Sequence, residues 1–454
     1  MFKRIQHIHF VGIGGSGMSG IAEVLITLGY KVSGSDAKAS DTTRRLEQLG
    51  AAVALGHRAE NIAGAHVVVT STAVAANNPE VVEAHRRNIP VIPRIEMLAE
   101  LARLKYTVAV AGTHGKTTTT SLISLVLQSG GLDPTVVVGG RMHNIGTGAR
   151  VGRGDYLVAE ADESDGSFLK LTPTLAVVTN IDDDHLDYWG SVDKLTDGFD
   201  AFANKVPFYG TVFLGIDDPG SRRLLPRVRR PVVTYGFAGD AEIRAEDLRA
   251  GPTETVFSVS RAGRAMGTVR WPVMGRHNVA NALAAVGAGL ELGLSFEAIA
   301  DALARFEGVG RRLEKKGDAG GVTVMDDYGH HPTEIRATLA ALRQRWPDRR
   351  LVTLFQPHRY SRTRLLGTEF AACFEKTDVL GLLDIYAAGE SPIPGVSSDA
   401  LAERLAAHGR AAVRLPADNG PEQLRGLVRP GDVVLTLGAG DVWKWGERLL
   451  KDLA

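Results

Sequence analysis

The stretch Thr107-Val108-Ala109-Val110-Ala111-Gly112-Thr113-His114-Gly115-Lys116-Thr117-Thr118 decides the fold. Its first five residues form a short apolar run of strand length, and its glycines then break that run. A helix is expected over residues 117–128. A strand, a glycine loop and a helix N-terminus in succession bare backbone N–H groups to an anion and add a favourable dipole. Gly112, Thr113, His114, Gly115, Lys116, Thr117 and Thr118 therefore read as a triphosphate site. Lys116 supplies a point charge for the β- and γ-phosphates, and the Thr117 hydroxyl is placed for Mg2+. Position 110 is valine where the general G-x-x-x-x-G-K-[ST] pattern has glycine, so the loop is a shortened one.

Working toward the N-terminus, Gly12-Ile13-Gly14-Gly15-Ser16-Gly17 repeats the same logic. It follows an apolar run over 7–13 and opens a stretch with Met18, Ile21, Leu25 and Leu28 on one helical face. Asp36 stands at the end of the next expected strand, where an acid commonly meets a ribose. These residues alone leave two readings open: a dinucleotide, or a tight turn for helix–strand packing.

Working toward the C-terminus, two acidic strings close two further expected strands. They are Glu160-Ala161-Asp162-Glu163-Ser164-Asp165 and Asp182-Asp183-Asp184-His185-Leu186-Asp187. Strand ends are where open parallel sheets bind ligands, and carboxylates with a neutral imidazole can hold Mg2+ there. Residues 255–259 and 266–271 read as antiparallel strands, and Glu307-Gly308-Val309-Gly310 as a hinge. Beyond it, Asp326-Asp327-Tyr328-Gly329-His330-His331-Pro332 and Gln356-Pro357-His358-Arg359-Tyr360-Ser361-Arg362 each follow an expected strand. Arginine offers a planar fork to a carboxylate or phosphate that lysine cannot reproduce.

Apolar runs of strand length alternate with helix-period stretches through most of the 454 residues, which predicts α/β domains with parallel sheets. Breaks near residues 105 and 310 divide the chain into 1–105, 106–310 and 311–454. Lys plus Arg and Asp plus Glu both number 52, so no net field favours nucleic acid or an anionic membrane. The single Cys373 excludes an internal disulfide and a cysteine zinc finger, and fits a reducing compartment. No apolar run approaches the ~18 residues of a membrane span. A soluble, cytoplasmic protein is expected. Glycine, 52 residues, is in excess, and the two anion loops account for part of it. Cys373 is expected on a helix as a packed thiol, and Trp443 and Trp445 as anchors of the last helix.

These motifs in this order resemble the Mur ligase family over essentially the whole chain. The resemblance rests on the two glycine loops with Gly34-Ser35-Asp36, the acidic strings, residues 275–281, and the two polar strings of the last third. It implies a Rossmann-like N-terminal domain, a central P-loop ATPase-like domain with an antiparallel sheet, and a Rossmann-like C-terminal domain. It also implies ATP-dependent joining of an amino acid to the carboxylate of a UDP-sugar through an acyl phosphate, with ATP and Mg2+ required. The first loop is then similar to one that cradles a UDP-sugar diphosphate rather than NAD. Gly14, Gly15, Ser16, Gly17 and Asp36 would surround UDP, with Ser71 and Thr72 nearby. Lys116 and Thr117 would hold ATP phosphate and one Mg2+, while Glu160 and His185 would hold a second. His277, Asn278 and Asn281 would approach adenine, and Arg312 would reach a phosphate when the last domain closes.

Within that resemblance, Phe10 to Gly20 and the Tyr328-Gly329-His330-His331-Pro332 string are similar to those of members that act on UDP-N-acetylmuramate and L-alanine, which implies these substrates. Tyr328, His330, Arg359 and Arg362 would then surround the alanine. No protein partner is implied. Several family members carry a carbamylated lysine fourteen residues beyond the histidine equivalent to His185; here that place is Phe199, and Lys194 is out of register. Metal binding is therefore expected to rest on Glu160, His185, phosphate oxygens and water.

Overall fold

The computed structural model describes residues 5–71, 73–251, 254–418 and 420–454. Its strands lie in three sheets, which form the cores of three α/β domains. In the first sheet the order is Ala52–Leu55, Lys31–Asp36, His7–Val11, Val67–Thr70, Val91–Pro93, with every pairing parallel. The order reverses direction at His7–Val11, and the glycine loop leaves that strand, which is the crevice where such sheets bind ligands. Helix Ser16–Thr27 buries Met18, Ile21, Ala22, Val24 and Leu25 against this sheet.

The second sheet has ten strands. At its centre Leu175–Val178, Tyr106–Ala111 and Tyr156–Glu160 run parallel side by side. Val108 to Ala111 are fully buried, as a strand covered on both faces by helices must be. The expected strands over 255–259 and 266–271 are Thr255–Arg261 and Arg264–Trp271, adjacent in this same sheet. Only Ala262 and Gly263 join them, so they form a hairpin that extends the central sheet's edge.

The third sheet runs Glu314–Ala319, Val322–Asp327, Val433–Leu437, Leu351–Phe355, Val379–Leu382, Ala412–Arg414. Only the first pairing is antiparallel. Asp326 and Asp327, expected in the loop after Met325, instead complete the strand and are buried, because their carboxylates are satisfied inside. Cys373 corrects a second expectation: it lies beyond helix Gly367–Ala371 rather than on it, buried, with its thiol donating to the Phe370 carbonyl. Burial pushes that thiol's pKa up, which makes it a packing group. Trp443 and Trp445 begin the last helix, Trp443–Leu453, and Trp445 packs on the core beneath it.

Two compact units divide these residues. Leu248–Val256, Trp271–Val279 and Gly308–Ala454 make the second, and the rest of the described chain the first. One division falls inside the expected hinge, after Glu307. Among the described residues no helix is long and apolar enough to cross a membrane.

Candidate active site

In the first unit the loop Gly112 to Gly115 is sewn to the end of its neighbouring strand. The Thr113 N–H donates to the Asn180 carbonyl at 3.0 Å, and the His114 N–H to Asn180 Oδ1 at 2.8 Å. Asn180 Nδ2 and the Thr179 hydroxyl both return bonds to the His114 carbonyl. Gly112 has φ +127°, and a Cβ there would lie 2.0 Å from Thr179 Oγ1, so no other residue fits. Asp182 donates its N–H to Thr113 Oγ1 and sets its carboxylate 3.0 Å from His114 Nε2. Helix Lys116–Ser129 opens directly from this braced loop, with its first N–H groups at the sheet's C-terminal edge.

Lys116 Nζ donates to the Gly112 carbonyl at 2.7 Å and to both carboxylate oxygens of Glu163, at 2.9 and 2.7 Å. Glu163 is fully buried. Burial pushes its pKa up to about 7 against the opposing pull of Lys116. For Lys116 burial acts downward, but Glu163, Asp162 and Glu160 outweigh it and raise its pKa, so the ammonium keeps its proton. His185 Nε2 lies 3.8 Å from Glu163 Oε1 and 3.6 Å from Asp184 Oδ2. Glu160 ends the strand beside Tyr106–Ala111 and accepts the Gly139 N–H at 3.1 Å. Asn281 reaches the loop from helix Arg276–Glu291, its Oδ1 2.6 Å from where a Cβ on Gly115 would be. Thr118 is buried in the helix's first turn and Thr117 is partly exposed.

The expected metal-binding residues Thr117, Glu160 and His185 thus lie on three neighbouring chain segments at one sheet edge. Glu163 was not singled out by sequence reasoning, although its string was. Only the packed structure shows which of the string's acids turns inward.

The first glycine loop lies in the same unit. Gly12 and Ile13 donate to the Ser35 carbonyl at 2.8 and 3.0 Å, and Gly14 to Asp36 Oδ2 at 2.9 Å. A Cβ on Gly14 would meet that oxygen at 2.9 Å, and one on Gly17 would meet Arg94 Nη1 at 2.7 Å. Gly15 precedes the helix that Ser16 begins. Ser71 follows strand Val67–Thr70, and Thr72 lies outside the described residues. A cavity of about 330 Å3 runs from Ser19, Gly20 and Glu23 on the loop's helix to Gly139 and Arg141. It lies between that helix and Gly139, whose N–H Glu160 holds.

In the second unit, Arg311 and Arg312 both stand 5.0 Å from the ring centre of Tyr328. Asp327 accepts the N–H groups of Leu313 and Gly329 at 2.7 and 2.8 Å, which ties the segment carrying Arg312 to the one carrying Tyr328. Burial raises the Asp327 carboxyl to about 6, with Arg312 pulling the other way. His330 donates its N–H to Glu334 Oε2 at 2.9 Å. Its ring packs edgewise on Tyr328 at 5.5 Å and on His358 at 5.8 Å, and His358 stacks on Tyr386 at 5.6 Å. Burial, with Arg362 and Arg359 adding to it, lowers the His358 pKa to about 4. The neutral ring can therefore accept from Arg362 Nη1, at 3.3 Å. Arg359 has φ +69° and is held by its N–H to the Tyr386 carbonyl at 2.8 Å.

Tyr328, His330 and Arg362 are thus gathered into one cluster, with His358 as the link that sequence reasoning left out. Tyr386, Arg311, Glu334 and Glu390 were also unsingled; Glu390 binds the Ser361 N–H and hydroxyl. Burial lowers the His277 pKa to about 4, Glu334 opposing and Arg312 assisting, so this ring is neutral. Asn278 Nδ2 donates to the Met274 carbonyl at 2.9 Å.

Three family models match consecutive parts of the chain. They are the Mur ligase family catalytic domain over residues 7–106, the Mur ligase middle domain over 110–289, and the Mur ligase glutamate ligase domain over 311–440. A UDP-N-acetylmuramate--L-alanine ligase of Geobacter sulfurreducens is 57% identical, the match covering 100% of this chain and 99% of that protein. One from Trichlorobacter lovleyi is 54% identical over 100% of both. The crystal structure of a UDP-N-acetylmuramate-alanine ligase from Thermotoga maritima superposes with a TM-score of 0.83 at 29% identity, covering 98% of each chain.

Proposed function

Because the chain belongs to the Mur ligase family, we propose that it joins L-alanine to the carboxylate of UDP-N-acetylmuramate at the expense of ATP. The products are UDP-N-acetylmuramoyl-L-alanine, ADP and phosphate, a step of peptidoglycan precursor synthesis in the cytoplasm. One observation carries the reading: 57% identity along the whole length to a ligase of that name. The two glycine loops and the cluster of Tyr328, His330 and Arg362 support it.

A carboxylate resists an amine because it is already anionic and its oxygen leaves poorly. Activation removes both obstacles. A carboxylate oxygen of the muramyl group attacks the γ-phosphorus of ATP and ADP leaves, giving an acyl phosphate. The alanine nitrogen then attacks the acyl carbon, the C–O bond to phosphate breaks, and the proton from nitrogen passes to His330, an Asp or solvent. Lys116, with the N–H groups in the first turn of helix Lys116–Ser129, neutralises charge on the transferring phosphoryl group, the main demand in such transfers. His277, Asn278 and Asn281 are assigned to adenine. Gly14, Gly15, Ser16, Gly17, Asp36, Ser71 and Thr72 are assigned to the UDP moiety.

The donors at the central sheet edge suit a hard divalent cation. The carboxylates of Glu160 and Glu163 surround Lys116 together with the Thr117 hydroxyl segment, and a histidine stands beside them. Thr117, Glu160 and His185 would hold Mg2+, which when bound screens the repulsion between the muramyl carboxylate and the γ-phosphate. In the last domain Arg359 and Arg362 fork the alanine carboxylate, Tyr328 and His330 enclose its amine side, and Arg312 is assigned to phosphate.

Trapping with hydroxylamine tests the activated intermediate. A muramyl hydroxamate should form only when ATP is present; formation without nucleotide would contradict the acyl phosphate.

A further inference from the structure

The string His7-Ile8-His9-Phe10 places two imidazoles at alternate positions of a wholly buried strand, hence on one face. On that face His7 Nε2 and His9 Nδ1 meet Ser33 Oγ at 2.7 and 2.8 Å. His9 Nε2 lies 3.4 Å from Glu80 Oε2. Glu80 is the second residue of helix Pro79–Arg86 and is 0% exposed. Its carboxylate accepts the Ser35 hydroxyl at 2.6 Å, the Asn61 amide and the Arg58 N–H at 3.3 Å. Ser35 Oγ also lies 2.9 Å from Nδ1 of His57, whose side chain is 28% exposed.

A carboxylate removed this fully from water is costly, and here it is surrounded by donors rather than replaced by an apolar residue. Nothing in the phosphoryl-transfer chemistry uses it. What it does touch is Ser35, which supports the glycine loop. Ser35, whose hydroxyl it holds, presents its carbonyl to Gly12 and Ile13. The next residue, Asp36, accepts from Gly14, and the Asp36 carbonyl accepts from Gly56, the neighbour of His57.

We propose that Glu80 is a positioning residue for the nucleotide-sugar site, holding Ser35 and His57 so that the glycine loop and the exposed imidazole are set for the UDP moiety. The inference rests on the proposed function of that loop. A role in stability alone would lower the melting temperature and leave substrate affinity unchanged.

Steady-state kinetics on the full chain separate the two. Glu80→Gln keeps the shape and loses the charge; its KM for UDP-N-acetylmuramate should rise about tenfold, with kcat and the KM for ATP within about twofold of wild type. A folded Glu80→Gln with unchanged KM overturns the proposal. Should that variant not fold, Ser35→Ala cuts only the hydroxyl link and should raise the same KM about fivefold, and no rise overturns the proposal equally. UDP titrated calorimetrically into wild type and variant keeps this apart from the proposed activity. UDP affinity that falls in the variant upholds the positioning role, and equal affinity refutes it. Wild type that binds UDP yet shows no turnover counts only against the activity.

Discussion

The ammonium of Lys116 and the carboxylate of Glu163 form a buried ion pair, 2.7 Å at its shorter contact, at the mouth of the phosphate loop. Removing one partner of such a pair strands the other charge away from water. Glu163 also has His185 within 3.8 Å, so one acid ties the cation assigned to phosphate to the histidine assigned to metal.

Replacing Lys116 by alanine is therefore expected to abolish ATP-dependent phosphate release, a loss of at least about a thousandfold in kcat/KM. Phosphate release measured with both other substrates saturating checks this. Near-normal turnover would remove the phosphate-loop assignment.

Arg362 is held against the neutral ring of His358 and is assigned to the alanine carboxylate. Losing a charge-assisted hydrogen bond of about 1.5–3 kcal/mol predicts a KM for L-alanine in Arg362→Ala raised about ten- to a hundredfold. The KM for ATP should stay put. An unchanged KM for alanine would sink the arginine fork.

Glu80 makes a prediction about acid stability. Burial raises its carboxyl pKa, but the bonds from His9, Ser35 and Asn61 win and bring it to about 2, below its ordinary 4.5. A depressed folded-state pKa gives stability that is present above the unfolded value and lost as pH falls from about 4.5 through about 2. Two and a half units correspond to about 3 kcal/mol. The melting-temperature gap between wild type and Glu80→Gln should therefore be wide near about pH 7, shrink below about pH 4.5 and close near about pH 2. A gap independent of pH would show that Glu80 is not held ionised by these bonds.

Much of the architecture was legible because the chain alternates its periods cleanly. The strands Val67–Thr70, Leu351–Phe355 and Val433–Leu437 begin and end where the apolar runs do. Asp326 and Asp327 broke that rule: polar letters normally end a buried strand, yet partners distant in sequence, Thr436 and Leu313, satisfy these two inside it. The same reason hid Glu163, His358 and Glu80. Motif spacing reveals the residues that face a ligand along one loop. It is silent on an acid whose partners come from elsewhere in the chain. His9 and Glu80 are 71 positions apart, and their pairing exists only in the folded sheet.

ATP is proposed to be spent in joining alanine to a muramyl carboxylate. ADP release assayed with UDP-N-acetylmuramate and each amino acid in turn tests it most directly. ADP release should require the UDP-sugar and be strongest with L-alanine, with one ADP per amide formed. Release that ignores L-alanine, or that appears only with a preformed tripeptide as amine donor, would contradict it.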